Sequence, residues 1–488
     1  MGLRKRAYSG VLWSGIGQFG SYALRYLIFL VLAWVLIPDA IGLESLTTVL
    51  IVLAQEIGSL GLGAAIIQRE EHTALDLDTA FWASLIVSLM VTGIVNVLAG
   101  DIAGLLGDVR TAPLIQVLSI IFPIRALLIV PQSLLMKQLA FKKLSTVQFV
   151  EQIVYGLVAL PLAFMGAGVW SLVVGRIVMV GIRTVLMWIY VSWTPSFSFD
   201  LSNFWNLIKF GYYSLASNIL TRGLVRVDYF LVGKLLGTES LGYYTLASQL
   251  AIIPGQRIVG AVERVAFPTL SLLQDELTRL KQGFFEALEH LFAILVPLNV
   301  FLVILSPLLI PLLYGSKWMP AVPLLQILAF TNVLSGFDIN KSVFYASGKP
   351  RLWMNVIASR ILLFILISLG LGLQYQVTGV AVSFVVSLFV TTTASIVLVM
   401  RALQVGPMQV FRLLWVPLRG IMLAMIPYVV YLLLPLSDIS GEIKLAALMG
   451  SMGAIYGISI YSHYRETIEF FASTTVAFLW RQVRSEKE

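Results

Sequence analysis

Apolar segments of about 20 residues alternate with short polar breaks along the chain, and a helix of that length crosses a bilayer. The pattern predicts about fourteen spans, near residues 11–36, 43–66, 79–100, 112–135, 146–165, 168–192, 206–235, 241–269, 284–314, 321–345, 352–374, 376–400, 415–436 and 442–462. Pro123, Pro131, Pro254, Pro297, Pro307 and Pro427 fall inside spans and predict kinks, tolerated where neighbouring helices satisfy the freed carbonyls. Between the eighth and ninth spans, Leu273, Leu277, Leu280, Phe284 and Leu288 recur at helical spacing opposite a charged face, the pattern of an interfacial helix. The apolar stretch behind the basic start MGLRKRAYSGVLW continues to Ile37, too long for a signal-peptide core, and reads as a retained first span.

Composition agrees. The 488 residues are 59% hydrophobic and 12% charged, with mean hydropathy +0.91, more apolar surface than a soluble domain can hide. The chain is therefore expected to be an all-α polytopic membrane protein. Its net charge of +8 does not point to nucleic acid, because the basic residues sit in short loops and within spans. With the N-terminus inside, the inner loops and tail hold Arg4, Lys5, Arg6, Arg69, Lys137, Lys142, Lys143, Arg279, Lys281, Lys349, Arg351, Arg401 and Arg412. The outer loops hold Arg110, Lys234, Lys317 and Lys444. The positive-inside rule then places both termini in the cytoplasm.

The first and seventh spans echo each other. In SYALRYLIFLVLAWVLIPDAIGLESL and SNILTRGLVRVDYFLVGKLLGTESLGYY, Phe29-Leu30-Val31 lies over Phe230-Leu231-Val232, and Ala40-Ile41-Gly42 over Ser240-Leu241-Gly242. Arg25 then falls on Arg226. Six spans per half give repeats of like orientation, related by an axis along the membrane normal. The expected partition is 1–200 for the first six spans, 201–405 for the next six, and 406–488 for the last two and the tail.

Charges inside spans are costly and mark pathways or pairs. On the seventh span, Asn218, Arg222 and Arg226 are spaced for one helix face, with Asp228 beyond. The first span carries Gln18, Tyr22, Arg25 and Tyr26, and the eighth Gln249, Gln256 and Glu263 beside Arg257 and Arg264. Glu56, Arg125, Glu151, Arg176, Arg183 and Arg360 are scattered over other spans. Arginines outnumber carboxylates, so some are expected to meet an anion from outside the chain. Guanidinium stays charged when desolvated and fits phosphate oxygens with two bonds, which makes a pyrophosphate the candidate. Internal ion pairs are the competing reading for Arg222, Arg226 and Asp228. Snorkelling is the competing reading for Arg183, and a solvated pair or gate for Glu263 with Arg264.

Enzyme constellations are missing. There is no cysteine, and His72, His290 and His463 are far apart, so neither a metal site nor a histidine-based triad is expected. No phosphate-binding Walker sequence occurs, and no cofactor is implied. Transport is favoured over catalysis.

Several motifs in order resemble the bacterial polysaccharide-transporter (Wzx-type) family of the multidrug/oligosaccharidyl-lipid/polysaccharide exporter superfamily, nearest the colanic-acid exporters. They are PDAIGLESL with GSLGLGAAIIQREE and TAFW, FLVGKLLGTESLGYYTLASQLAIIP, VAFPTLSLLQDELTRLKQGFF, and YGSKWMPAVPLLQIL, within a likeness covering roughly residues 1 to 400. The resemblance implies two six-helix lobes in a V around a central cavity, as in MATE transporters, working by alternating access as a monomer in the bacterial inner membrane. Its implied cargo is an oligosaccharide on undecaprenyl pyrophosphate, handed on to polymerase or export machinery. Charged residues on spans 1, 2, 7 and 8 line the cavity in related proteins, which maps here to Arg25, Glu56, Arg222, Arg226, Asp228 and Arg257. Relatives often carry Asp-Asn where this chain has Asp228-Tyr229, a departure at a position that would otherwise couple a cation.

The expected site therefore has Arg25 and Arg226 holding the pyrophosphate, with Arg222, Arg257 and Arg360 extending the positive field. Tyr22, Tyr26 and Tyr229 are candidates to stack on sugars, and Glu56, Asp228 and Glu263 to gate or couple transport. A proton- or sodium-coupled drug or metabolite antiporter is the alternative, and would call for a carboxylate-dominated cavity. A membrane scaffold without transport would have no use for mid-span arginines.

Overall fold

The computed structural model describes residues 20–69, 72–219, 226–273, 276–433 and 440–461. These residues form helices and connecting turns, without a strand among them. Contacts divide the chain into two compact units, Met1–Leu246 with Leu313–Trp318, and Ala247–Leu312 with Met319–Glu488.

The first unit opens with α1 (Gly20–Val35), α2 (Pro38–Ser59), α3 (Leu62–Gln68), α4 (Ala74–Val97) and the short α5 (Ala99–Leu106). A fourth pass is broken into α6 (Thr111–Leu118), α7 (Ile121–Ala126) and α8 (Ile129–Lys137). The break bends it by 45° in the segment where Pro123 and Pro131 each remove a backbone donor. The unit continues with α9 (Phe141–Phe164), α10 (Val169–Ile189), α11 (Leu201–Asn218) and the start of α12 (Val227–Leu272). At the α2–α3 junction Leu60 and Gly61 both have positive φ. A β-carbon on Gly61 would stand 2.2 Å from the Gly211 carbonyl oxygen, so α11 rests directly on the junction backbone.

Within α12 the backbone leaves helical geometry at Gly237, φ 84° and ψ 169°, and the chain folds back so that Tyr244 meets Asp228 and Tyr229. This hairpin packs on α2 with an exchange symmetry. A β-carbon on Gly42 would lie 1.7 Å from the Thr238 carbonyl oxygen, and one on Gly242 2.0 Å from that of Pro38. Thr245 donates to Ser45 at 3.1 Å, a sequence separation of 200. An offset of 200 exchanges Gly42 with Gly242, Pro38 with Thr238, and Ser45 with Thr245. The register read from the sequence is thus repeated as a set of reciprocal contacts.

The second unit takes the rest of α12, then α13 (Leu277–Tyr314), α14 (Ala321–Gly336), α15 (Asn340–Ala346), α16 (Pro350–Leu403), α17 (Pro407–Ala424), α18 (Ile426–Leu433) and α19 (Gly441–Tyr461). The stretch expected as a separate interfacial helix is instead the first turns of α13. Its Leu280, Phe284 and Leu288 are buried in the unit's core with Leu291 and Leu295. Amphipathicity here marks a span emerging from its bundle. In α16 the backbone breaks at Tyr375 and Gln376, and Gly379 comes against the Leu371 carbonyl, so the chain reverses there too.

Nine described helices are long and apolar enough to cross a membrane, and the bent pair makes ten. Fourteen were expected, but α12 carries charges and breaks, α1 is short, and α16 enters the count as one helix although it holds a reversal. The outward faces are apolar: on α16, Leu362, Leu366, Leu369 and Leu373 form an exposed stripe at helical spacing. Such a surface is stable against lipid and not against water. The chain is a polytopic helical membrane protein.

Candidate substrate-binding site

In the first unit, intramembrane charges from five helices are brought together. Arg176 on α10 pairs with Glu44 on α2 at 2.7 Å and also donates to Thr48. About two turns further along α10, Arg183 reaches Glu151 on α9 at 3.4 Å and Gln132 on α8 at 3.1 Å. Arg125 on α7 donates to the side-chain carbonyl of Gln55 on α2 at 2.7 Å. Each bond replaces hydration these groups surrender at membrane depth. Arg183 is therefore held inward by two partners rather than snorkelling to the surface.

Arg25 stands on the exposed side of α1, with Tyr22 and Tyr26 half-buried beside it. Gln55, Glu56, Arg125, Gln132 and Arg183 line a cavity of about 510 Å³ in this unit. Glu56 is buried. The cavity lies where α2 gives way to α3, at the end of the unit carrying Arg69 and Lys137.

The hairpin in α12 supplies a different environment. Arg226 lies over the Tyr229 ring, 4.7 Å from its centre, a cation–π contact. Asp228 is buried and accepts from the Tyr244 hydroxyl at 2.9 Å. Tyr229 is itself buried, edge-on to Tyr244, so its ring packs inside the hairpin and is not displayed for stacking. Arg222 lies outside the described residues.

In the second unit, Arg257 is exposed on α12. Arg360 on α16 pairs with Asp338 at 3.2 Å and donates to Thr391 at 3.2 Å. Glu263 has Lys341 on α15 as its ion partner at 3.7 Å, whereas Arg264 donates to the Gly260 carbonyl. No group of three or more potential metal-ligating side chains occurs among the described residues.

At the end of the first unit opposite Arg69, sequence reasoning missed a second cluster. Arg110 grips Asp39 with two bonds of 2.7 and 2.9 Å, Asp108 at 2.7 Å and Thr238 at 2.9 Å. Thr238 also donates to Asp39. The Arg110 guanidinium holds the Asp108 carboxyl below the usual carboxylate range. The available signal was an arginine alone in an outer loop within reach of the PDA turn.

The fold, with its apolar spans and buried polar groups, defines a polytopic helical membrane protein. Residues 31–323 match the family described as polysaccharide biosynthesis protein, and the chain belongs to that family. It is 29% identical over 354 residues to the teichuronic acid biosynthesis protein TuaB of Bacillus subtilis, covering 72% of this chain and 73% of TuaB. To the lipopolysaccharide biosynthesis protein WzxC of Escherichia coli it is 27% identical over 345 residues, 68% of each chain. Among solved structures, the lipid II flippase MurJ in an inward closed conformation superimposes with a TM-score of 0.74 at 16% identity, over 94% of this chain and all of MurJ. An inward-facing multidrug MATE transporter superimposes with a TM-score of 0.61 at 14% identity, over 78% of this chain and 95% of its own. At those identities the likeness concerns the fold.

Proposed function

We propose that this protein is a flippase that carries an oligosaccharide linked to undecaprenyl pyrophosphate from the cytoplasmic to the periplasmic leaflet of the bacterial inner membrane, by alternating access, for polysaccharide biosynthesis. The observation that carries the reading is that residues 31–323 match a polysaccharide biosynthesis family, in a chain that sets Arg25 on the exposed side of an apolar helix. A pyrophosphate crossing hydrocarbon loses its hydration, at a cost of many kcal/mol, and guanidinium groups offset that cost while remaining charged. Arg25 is the first anchor of the anion; Arg226 and Arg222, with Arg257, are its counterparts on α12 and the segment before it. Arg360 has an internal carboxylate partner and plays a smaller part than its position in the sequence suggests.

The reciprocal contacts between α2 and the α12 hairpin favour two repeat-related lobes, 1–200 and 201–405, with 406–488 appended. Both termini face the cytoplasm, where the basic loops lie, and the working unit is a monomer. The antiporter reading has less support: the intramembrane carboxylates Glu44, Glu151, Glu263 and Asp338 are each engaged by a cation of the chain. The test is the leaflet distribution of the lipid-linked oligosaccharide in cells depleted of the protein. Accumulation on the cytoplasmic face, relieved by wild type and not by Arg25→Ala, is expected. An unchanged distribution in a strain without a second flippase overturns the reading.

A further inference from the structure

The cavity at the α2–α3 junction has a chemistry unlike that of a phosphate cradle. Arg125 and Arg183 contribute two positive charges to its wall, but Glu56 is in the same wall and Glu151 engages Arg183 from behind it. The lining is therefore close to neutral overall. A dianionic group entering it meets carboxylates as well as guanidiniums, whereas an uncharged polar group meets only dipoles and paired charges.

Hydrogen-bonding capacity points the same way. Gln55 and Gln132 each give the side-chain carbonyl to an arginine, at 2.7 and 3.1 Å. That fixes both amides and leaves their NH2 groups, with two donors apiece, without a protein partner among the described residues, on two side chains that line the cavity. The Arg183 Nε–H is buried without a hydrogen-bond partner among the described residues. Unfilled donors beside a cavity of about 510 Å³ call for a ligand dense in oxygen acceptors. Ser133, in the same lining, spends its hydroxyl proton on backbone carbonyls at 2.7 and 3.3 Å, so its oxygen keeps only acceptor capacity. Donors held by charged neighbours and an acceptor hydroxyl, in a neutral wall, suit the vicinal hydroxyls and ring oxygen of a pyranose.

We propose that this cavity is a glycosyl subsite: it receives an uncharged sugar ring of the lipid-linked oligosaccharide through Gln55 and Gln132, separately from the pyrophosphate held by Arg25. The inference rests on the flippase reading and deepens it. It also assigns the amides a role: they are specificity-determining residues that read sugar, where the arginines behind them hold the amides in place. The subsite sits at the end of the unit that bears Arg69 and Lys137, so loading of the sugar takes place from the leaflet that those basic residues face.

The experiment uses the full chain in nanodiscs, titrated with undecaprenyl pyrophosphate and with the same lipid bearing one glucose, galactose or N-acetylglucosamine. Wild type is expected to bind at least one glycosylated lipid about tenfold tighter than the bare lipid, the worth of one or two net hydrogen bonds. The double variant Gln55→Met, Gln132→Met keeps side-chain volume and removes the donors. It is expected to lose that tenfold increment while its affinity for the bare lipid stays within about twofold. Gln132→Leu, which removes the donors without adding charge, is expected to lose part of the increment as well; it guards against a packing fault in the methionine pair. An increment that survives in both variants overturns the subsite. Equal losses for bare and glycosylated lipids also overturn it, since the cavity would then be holding phosphate. Wild type that binds neither lipid overturns the flippase reading itself, and is recognisable because the variants play no part in it.

Discussion

The contact of α2 with the α12 hairpin offers a test of the repeat that does not depend on cargo. In Gly242→Ala the new β-carbon would stand 2.0 Å from the Pro38 carbonyl oxygen, and real contacts of this kind are not made below about 3 Å. The two backbones must therefore part by about 1 Å or more, because neither a helix interior nor a carbonyl can yield locally. Overpacking of this sort costs about 1–3 kcal/mol. Separation also loosens the hydrogen bond of Thr245 to Ser45, both buried, for about 1 kcal/mol more. The expected loss is about 2–4 kcal/mol, seen as a lower melting temperature in detergent. Gly42→Ala meets the Thr238 carbonyl at 1.7 Å and is expected to cost a similar amount. Since either change opens the same crossing, the double variant should lose clearly less than the sum. The chain has no cysteine, so Ser45→Cys with Thr245→Cys gives an independent check: the pair should form an oxidised cross-link within one molecule. Alanine variants that melt with wild type, or fully additive losses, would refute the reciprocal packing.

Other outcomes follow from the charge and hydrogen-bond map. Glu44→Gln should destabilise by about 1–3 kcal/mol by leaving Arg176 without its carboxylate, and adding Arg176→Gln should restore part of that loss; paired melting curves decide. Trp318→Phe removes the donor to the Ala33 carbonyl, a bond of 2.8 Å at a fully buried ring, and should cost about 1–3 kcal/mol in the same assay. His72 accepts from Lys137 at 2.9 Å, and burial with the nearby lysine holds its imidazole below its ordinary value, opposed by Asp76. The unfolded loop binds that proton near pH 6.5, the folded loop only lower. The stabilisation is thus fully present above about pH 6.5 and lost as pH falls through the folded pKa. Hydrogen exchange around residue 72 should speed up over that window, and His72→Gln should abolish the trend.

The apolar spans were legible as a class because a bilayer forces each crossing into the local pattern of apolar length, though not their number, since breaks and charges blur the count. Partners were not legible. Arg176 finds Glu44, Arg125 finds Gln55 and Arg360 finds Asp338, pairings set by which helices touch. Counting arginines against carboxylates therefore overstated the positive charge left for cargo. The stretch before Phe284 looked interfacial because amphipathicity is the same whether the apolar face meets lipid headgroups or a protein core. Arg25 was legible as a candidate, since a lone arginine among apolar residues has few sequence-local partners. The partners of Arg125 and Arg183 entered only with the packing of α7 and α10.

That arrangement has a consequence for turnover. Glu151 holds Arg183 at 3.4 Å, so it competes with any anion brought by the cargo. A carrier must bind well enough to load and weakly enough to release, and a resident carboxylate sets that balance by taking back the guanidinium when the anion leaves. Removing a like charge about 8 Å from a bound anion is worth about 2 kcal/mol at an effective dielectric of about 20, roughly thirtyfold in affinity. Glu151→Gln keeps the shape and an acceptor for Arg183, and should bind undecaprenyl pyrophosphate more tightly by about that factor while exporting polysaccharide more slowly. Tighter binding with slower export separates a release defect from misfolding, which lowers both. Affinity that is unchanged or reduced would mean that the Glu151–Arg183 pair serves the protein's own structure and that the anion is held beyond its reach.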